Sequence, residues 1–314
     1  MKTVAIVNPV AGQRRSPRIW PRLLEGWGGR GPQVTTWWTE GPGHAEILAA
    51  QARREGFDRV VAVGGDGTLL EVVNGLWWES QGSQPSLGTV PFGTGCDYVR
   101  NFAGGQSLED NLEPALGEAT VSVSLGLARL QGIDGKPRKR VFLNVLGMGF
   151  DARVIARFRN QRWPPPGKIG YVLSVLQELP QLSHYRITGE VNGQPLGLEA
   201  TLVAVGLGCC FGGGMMITPG ASPSSSRFQV VLAQRLARTA LLALVPKIYA
   251  GKHLEHPQVA MCFAEHLKLT ADPPAYVEGD GELVGRTPLE VEILPRALQF
   301  AGQPIKSTNG TVAG

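Results

Sequence analysis

Asp66 stands among glycines in the run Val60-Val61-Ala62-Val63-Gly64-Gly65-Asp66-Gly67-Thr68-Leu69-Leu70-Glu71. Four apolar residues read as a short buried strand, and the glycines leave the backbone open to close approach by a ligand. Thr68 and Glu71 have the spacing of a capping box, which predicts a helix starting at Leu69 with Leu69, Val72, Val73 and Leu76 on its apolar face. Strand, glycine turn and helix N-terminus together offer backbone N–H groups and the positive end of a helix dipole, a combination suited to a phosphate chain. A carboxylate repels phosphate, so Asp66 fits that ligand only with a metal ion or a proton between them. A solvated aspartate in a tight strand-to-helix turn is the plainer alternative.

Other candidates follow the same pattern. A first strand at 3–7 ends in Asn8-Pro9-Val10-Ala11-Gly12, with Arg14 and Arg15 beside the turn. A strand at 87–90 runs into Pro91-Phe92-Gly93-Thr94-Gly95-Cys96-Asp97. Taken alone, Asp97 is an N-cap for a helix beginning at Tyr98. Asp151 reads the same way, as a helix cap first. Asp280-Gly281-Glu282 is a good hairpin turn, in which Glu282 would face water. The histidines His44, His184, His253, His256 and His266 form no local cluster. Cys96, Cys209, Cys210 and Cys262 lack metal-ligand or redox spacing, and adjacent Cys209 and Cys210 read as small apolar fillers.

The elements that must position these residues alternate. Strands at 3–7, 34–39, 60–63 and 87–90, with a helix at 44–54 capped by Gly56, predict a doubly wound parallel sheet of the Rossmann-like α/β class. Its glycine turns would line the carboxyl edge, where open α/β sheets bind ligands. Near Ser122 the pattern changes to period-two strands at 123–130, 140–145, 185–191, 198–205, 228–232, 259–263, 266–270 and 289–294. Two helices, at 169–179 and 236–250, interrupt them. This predicts an α/β nucleotide-binding domain over 1–122 and a β-rich, β-sandwich substrate domain over 123–304. The last strands of that domain could return to the first, and 305–314 form a disordered tail.

The chain of 314 residues is long enough for one large or two ordinary domains, and glycine, at 42 residues, is concentrated in turns. A net charge of +4 is too small to argue for nucleic acid and suits anionic small molecules or an acidic membrane surface. No apolar run reaches the ~18 residues of a membrane span, and the cysteine usage favours a reducing compartment. The expected location is therefore cytoplasmic, with membrane contact at most peripheral. Residues 157–168, Arg157-Phe158-Arg159-Asn160-Gln161-Arg162-Trp163-Pro164-Pro165-Pro166-Gly167-Lys168, are basic, carry a tryptophan and cannot be helical across their prolines. Such a segment is either an anionic-membrane contact or an ordinary connecting loop.

With these turns in view, the chain resembles the bacterial diacylglycerol-kinase-like lipid kinases, the group related to sphingosine and ceramide kinases. The resemblance runs nearly end to end. It is carried by Asn8-Pro9 with Gly12, by Gly64-Gly65-Asp66-Gly67-Thr68-Leu69 through Glu71-Val72-Val73-Asn74-Gly75, and by Pro91-Phe92-Gly93-Thr94-Gly95 with Asp97. In the β-rich half it is carried by Asn144 with Gly147-Met148-Gly149-Phe150-Asp151-Ala152, Gly170-Tyr171, Gly212-Gly213-Gly214-Met215 with Pro219 and Ala221, and Asp280-Gly281-Glu282.

The resemblance implies a two-domain kinase with its nucleotide in the cleft between domains. ATP would be held along Asn8, Pro9 and Gly12, by Thr39, by Gly64, Gly65, Asp66, Gly67 and Thr68, by Glu71, and by Gly93 and Thr94. Asp66 and Asp97 would orient phosphates through Mg²⁺, and Glu282 would take the proton from the hydroxyl of diacylglycerol or a similar lipid. The partner implied is a lipid at a membrane surface and no nucleic acid, with a homodimer compatible. Two other functions fit the same residues: a nucleotide- and lipid-binding protein with weakened turnover, and an NAD kinase, which shares the Gly-Gly-Asp-Gly turn. The downstream turn at 93–97 matches the lipid group better.

Four positions depart from the family pattern. Leu70 and Cys96 stand where Asn is usual, Ser124 where Asp is usual, and Ser225-Ser226 where Asp-Gly is usual. Ser222, Ser225 and Arg227 therefore occupy positions where relatives hold an accessory magnesium ion. A hydroxyl is a poor replacement for a carboxylate around Mg²⁺, and Arg227 disfavours a cation further. Titration with divalent ions, read by calorimetry or anomalous diffraction, should place none at this position; one well-ordered ion at Ser225 would contradict the reading.

Overall fold

The computed structural model describes residues 1–27, 33–93, 95–103, 108–160 and 167–304. The chain divides into two units, Met1–Val123 with Arg296–Lys306 and, in its longest part, Ser124–Pro295. The first unit runs β1 (Thr3–Val7), α1 (Ala11–Arg14), α2 (Ser16–Trp27), β2 (Val34–Trp38), α3 (His44–Arg54), β3 (Arg59–Gly64), α4 (Asp66–Trp78) and β4 (Ser86–Pro91). A 3₁₀ turn (Tyr98–Asn101), β5 (Phe102–Ala103) and α5 (Leu108–Leu116) follow.

β1 and β3 are wholly buried apolar runs, as strands covered on both faces must be. β1 pairs in parallel with β2 on one side and β3 on the other, and β3 pairs in parallel with β4. The chain therefore reverses its direction of winding between β1 and β3, the switch point at which such sheets bind ligands. Val7, Val63, Val90, Phe92, Trp20, Leu112 and Leu116 form one core cluster under these strands. α3 was predicted over the residues it occupies, and Gly56 at φ +69° ends it with its N–H on the Arg53 carbonyl. α5 has no counterpart in the sequence reading.

The second unit takes up β6 (Thr120–Gln131), β7 (Pro137–Phe142), β8 (Val145–Gly149), α6 (Phe150–Asn160), α7 (Gly167–Glu178), β9 (Tyr185–Val191) and β10 (Gln194–Gly206). It continues through β11 (Phe228–Gln234), α8 (Arg238–Tyr249), β12 (Val259–Ala264), β13 (His266–Asp272), β14 (Tyr276–Gly279) and β15 (Glu282–Ala301). Pairing closes on itself: β10 to β9, β9 to β13, β13 to β15, β15 to β14, β14 to β8, and β8 back to β10, all antiparallel. The β-rich unit is thus barrel-like, and its interior holds Phe142, Leu146, Met148, Ile187, Val203, Phe228, Leu267, Val277 and Val291. The outer face of β8, β10 and β11 is covered by Phe150, Val154, Val175, Leu241 and Leu244 from α6, α7 and α8.

α6 corrects the sequence reading, which placed 157–160 and 167–168 in one non-helical segment; residues 157–160 continue a helix, and Gly167 and Lys168 open α7. Residues 161–166, including Trp163, lie outside the described residues, as do Thr94 and the tail at 305–314. The last part of β15 belongs to the first unit, where Phe300 sits in parallel register with Leu87 of β4 and stacks on Phe102 at 4.4 Å between ring centroids. β16 (Gln303–Pro304) then pairs with β5. Among the described residues no helix is long and apolar enough to cross a membrane.

α3 and α4 approach most closely at Gly75, where an added Cβ would overlap the Glu46 carbonyl oxygen and stand 2.9 Å from the Ala49 Cβ. Alanine in a helix gains about 1 kcal/mol over glycine, but forcing a methyl group against a fixed carbonyl costs about 1–3 kcal/mol. Gly75→Ala should therefore lower the unfolding free energy by up to about 2 kcal/mol, read as an earlier urea midpoint with an unchanged slope.

Candidate active site

Parallel pairing brings the loops after β1, β2, β3 and β4 to one edge of the first unit. At the switch point the Asn8 side chain joins two of them. Its Nδ2 donates to Thr68 Oγ1 at 3.1 Å, its Oδ1 accepts the Val10 N–H, and its backbone N–H reaches the Val63 carbonyl at 3.0 Å. Gly12, Gln13 and Arg14 follow with φ of +60°, +60° and +63°, three successive left-handed residues that only glycine adopts without strain. Thr39, at the end of β2, is buried, and its N–H donates to the Val7 carbonyl.

Gly65 and Gly93 bring the turns after β3 and β4 into backbone contact. A Cβ on Gly93 would stand 2.7 Å from the Gly65 Cα, so the turn after β4 could not carry a side chain facing the other, whereas a Cβ on Gly65 would meet the Gly93 Cα at 3.4 Å, an ordinary contact. Cys96, with φ +44°, closes the second turn on itself: its thiol lies 3.1 Å from the Gly93 N–H and 3.3 Å from the Gly93 carbonyl. Burial, reinforced by the nearby Asp66 charge, pushes this thiol up to about 12, so it stays protonated and can donate. Cys96, at the position where the resemblance implies Asn, thus bridges its own turn through the thiol.

Asp66 occupies the first position of α4, whose N-cap is Gly65. The helix begins three residues earlier than the capping-box reading required, and no side chain caps it. Thr68 instead accepts from Asn8. The two oxygens of Glu71 accept the Gly43 and Ala45 N–H groups at 2.8 and 3.1 Å, capping α3. Glu71, expected on the nucleotide, is therefore committed to the start of the neighbouring helix, whose free amides compete successfully for it. The cap expected from Asp97 is supplied by Asp66, whose carboxylate accepts the Asp97 N–H at 3.1 Å and the Tyr98 N–H at 3.3 Å. Asp97 pairs with Arg100 Nε at 3.1 Å.

Asp97 is buried and Asp66 half-buried, and both converge on Gly95: a Cβ there would stand 3.3 Å from Asp66 Oδ2 and 3.7 Å from Asp97 Oδ2. Burial pushes the Asp66 carboxyl up to about 6, the Asp97 charge adds to the rise, and the Asp97 and Tyr98 amides oppose it. A cation in front of the pair would remove the repulsion and favour the ionised form. Among the described residues no cluster of three or more His, Cys, Asp or Glu could hold a metal by itself. Any ion here needs oxygens from a phosphate chain or water.

In the second unit, Asp280 and Gly281 form the two-residue turn between β14 and β15, with φ of +50° and +81°, so the hairpin reading is correct. Glu282, half-buried, opens β15 opposite Gly279. Asp280 also accepts three backbone N–H groups from residues 143–145, a role the sequence did not suggest. Asp151 lies in the first turn of α6, where Oδ1 accepts the Ala152 N–H while Oδ2 has no hydrogen-bond partner. Gly147 gives it room, since a Cβ there would collide with Asp151 Oδ2 and stand 2.6 Å from Glu278 Oε1. Ser124 Oγ donates to the Ser225 carbonyl at 2.7 Å, Ser225 Oγ accepts the Arg227 N–H at 3.0 Å, and the Arg227 guanidinium lies over the Phe263 ring at 5.3 Å.

Comparison with known proteins identifies the setting of these residues. Residues 2–128 match the diacylglycerol kinase catalytic domain, and residues 144–302 match the YegS C-terminal NAD kinase beta sandwich-like domain. A protein of Mycobacterium tuberculosis (strain ATCC 25618 / H37Rv) named diacylglycerol kinase is 30% identical over 303 residues, spanning 95% of this chain and 94% of its own length. This chain belongs to the diacylglycerol kinase family. It carries that family's catalytic domain and is a kinase. A diacylglycerol kinase of Staphylococcus haemolyticus (strain JCSC1435) is 26% identical over 294 residues, covering 94% of this chain and 86% of that one. The crystal structure of a putative diacylglycerol kinase from Bacillus anthracis str. Sterne has the same fold, with a TM-score of 0.80 at 22% identity over 96% of this chain and 95% of that one.

The buried acids set a pH dependence. Burial pushes Asp151 up to about 7 from an ordinary value of 3.8, so the folded chain holds a proton that the unfolded chain has lost. Stability then falls as pH rises through that window. Asp151→Asn keeps an oxygen for the Ala152 amide and removes the charge. The variant should melt higher than the wild type at about pH 8, with the difference vanishing toward about pH 4; equal melting curves across this range would contradict the assignment.

Proposed function

We propose that this member of the diacylglycerol kinase family transfers the γ-phosphate of ATP to a hydroxyl of diacylglycerol or a similar lipid. The observation that carries the reading is the convergence of Asp66 and Asp97 on Gly95, beside a contact between two glycine turns that leaves no room for a Cβ at Gly93. Phosphoryl transfer asks a protein chiefly for charge neutralisation and positioning. The largely half-buried turns at residues 8–12 and 65–67, with Thr39 and the exposed Gly93, suit a triphosphate chain, and Asn8 fixes the first loop against α4. Asp66 and Asp97 fit Mg²⁺: two hard oxygen donors, one pushed toward protonation, with water and phosphate oxygens completing the shell. When bound, the ion supplies charge neutralisation for the transferring group.

Glu282 is assigned the proton of the lipid hydroxyl. Its support is the family's Asp-Gly-Glu motif and a rigid hairpin that presents it half-buried rather than in open solvent. The lipid is proposed to be met at a membrane surface, with the chain bound peripherally.

Ser124 and Ser225 favour a second reading, a nucleotide- and lipid-binding member with weakened turnover. Where relatives carry carboxylates, these hydroxyls are occupied with neighbouring backbone.

Incubation with radiolabelled ATP, Mg²⁺ and a panel of diacylglycerol, sphingosine, ceramide and NAD separates the readings. Label should enter diacylglycerol or a close relative, and Glu282→Ala should slow transfer by on the order of 10²–10⁴-fold while leaving ATP binding unchanged. ATP binding without transfer to any lipid would select the second reading, and label in NAD would overturn both.

A further inference from the structure

An aspartate at the first position of a two-residue hairpin is usually explained by its tolerance of a left-handed backbone. Asn and Gly meet that requirement equally well, so the turn alone does not account for a carboxylate at Asp280. The surroundings do. Asp280 Oδ2 accepts the Leu143 N–H at 2.8 Å, and Oδ1 accepts the Asn144 and Val145 N–H groups at 2.9 and 3.0 Å. The Asp280 N–H returns a bond to the Val145 carbonyl at 2.9 Å. Three consecutive amides aimed at one side chain favour an ionised acceptor. An asparagine would present an NH₂ group to one of those donors.

The anchor on the far side is itself fixed. The Asn144 carbonyl accepts the Leu207 and Gly208 N–H groups at 2.8 and 2.9 Å, and its Nδ2 donates to the Cys210 carbonyl at 2.6 Å. On the other side of the turn, Glu278 Oε2 accepts the Gly281 N–H at 2.8 Å. The residue directly before Glu282 and the one before that are thus each pinned by a carboxylate to a different part of the unit.

We infer that Asp280 is a positioning residue: by clamping the backbone of residues 143–145 it fixes the turn from which Glu282 reaches the lipid hydroxyl. The inference rests on Glu282 acting as the base. A group that must meet a hydroxyl within hydrogen-bond reach is sensitive to small displacements, and a misplacement of about 1 Å can cost on the order of 10²-fold in rate.

The test uses the full chain with Asp280→Asn and Asp280→Gly, each in the wild-type and Glu282→Gln backgrounds. Asp280→Gly keeps the left-handed turn and removes the clamp, so it serves if the Asn variant folds poorly. Either should lower kcat by roughly 10–100-fold with KM for ATP unchanged, and should cause no further loss once Glu282 is Gln. Wild-type kcat in a folded variant, or an equal loss in both backgrounds, overturns the inference. Hydrogen exchange keeps the question separate from the assignment of function. Amides at 281–284 should exchange faster in Asp280→Asn even if the wild-type chain labels no lipid, a result that would defeat the proposed reaction alone; unchanged exchange defeats the clamp.

Discussion

The Asp66 carboxylate accepts the amides of Asp97 and Tyr98, and the arrangement of the first unit's ligand-facing edge depends on that interaction. The turn after β4 would otherwise need a cap of its own and freedom to move away from the turn after β3. With the carboxylate in place, the glycines at 65 and 93 meet backbone to backbone, and Cys96 closes the loop beneath them. Asp97 is spared capping duty and stands beside Asp66. Holding two acids together in a buried place disfavours charge, which is why the Asp66 carboxyl is raised toward neutrality before any cation arrives.

The second unit handles buried acids in two opposite ways. Asp280 is surrounded by donors, and its charge is stabilised by three amides. Asp151 receives one amide and otherwise faces the narrow space over Gly147 that Glu278 also enters. The first environment favours ionisation and rigidity, and the second favours retention of a proton. Asp280 ends β14 in its turn, and Asp151, on α6, shares the space over Gly147 with Glu278 of β14, so the strand leading to Glu282 adjoins both a clamped carboxylate and one pushed toward protonation.

Much of this was legible in the sequence because it is local. Buried strands followed by glycine turns announce themselves through composition, and Asp280-Gly281 through turn chemistry. The α/β half followed with its parallel order. What escaped depended on competition between distant groups. Thr68 and Glu71 have ideal capping-box spacing, yet Asn8 and the free amides of α3 claim them, and neither partner is near in sequence. The ladder from β9 to β13 and on to β15 is equally non-local, so eight period-two segments do not reveal that the sheet closes. Asp151 signalled the start of α6, but the arginine-rich sequence and the prolines that follow concealed that it continues to Asn160.

Closure of that ring governs how the chain can acquire its structure. β9 pairs at once with β10 but finds its second neighbour only when residues near Leu267 are available, and the circuit is complete only with Val291 and Glu292. The α/β sheet in turn awaits Phe300 beside Leu87. During synthesis on the ribosome both halves must therefore wait for one late segment, β15, before either is finished. Long-range pairing of this kind makes for slow maturation, and nascent chains stalled ahead of it would expose unpaired strand edges to their neighbours.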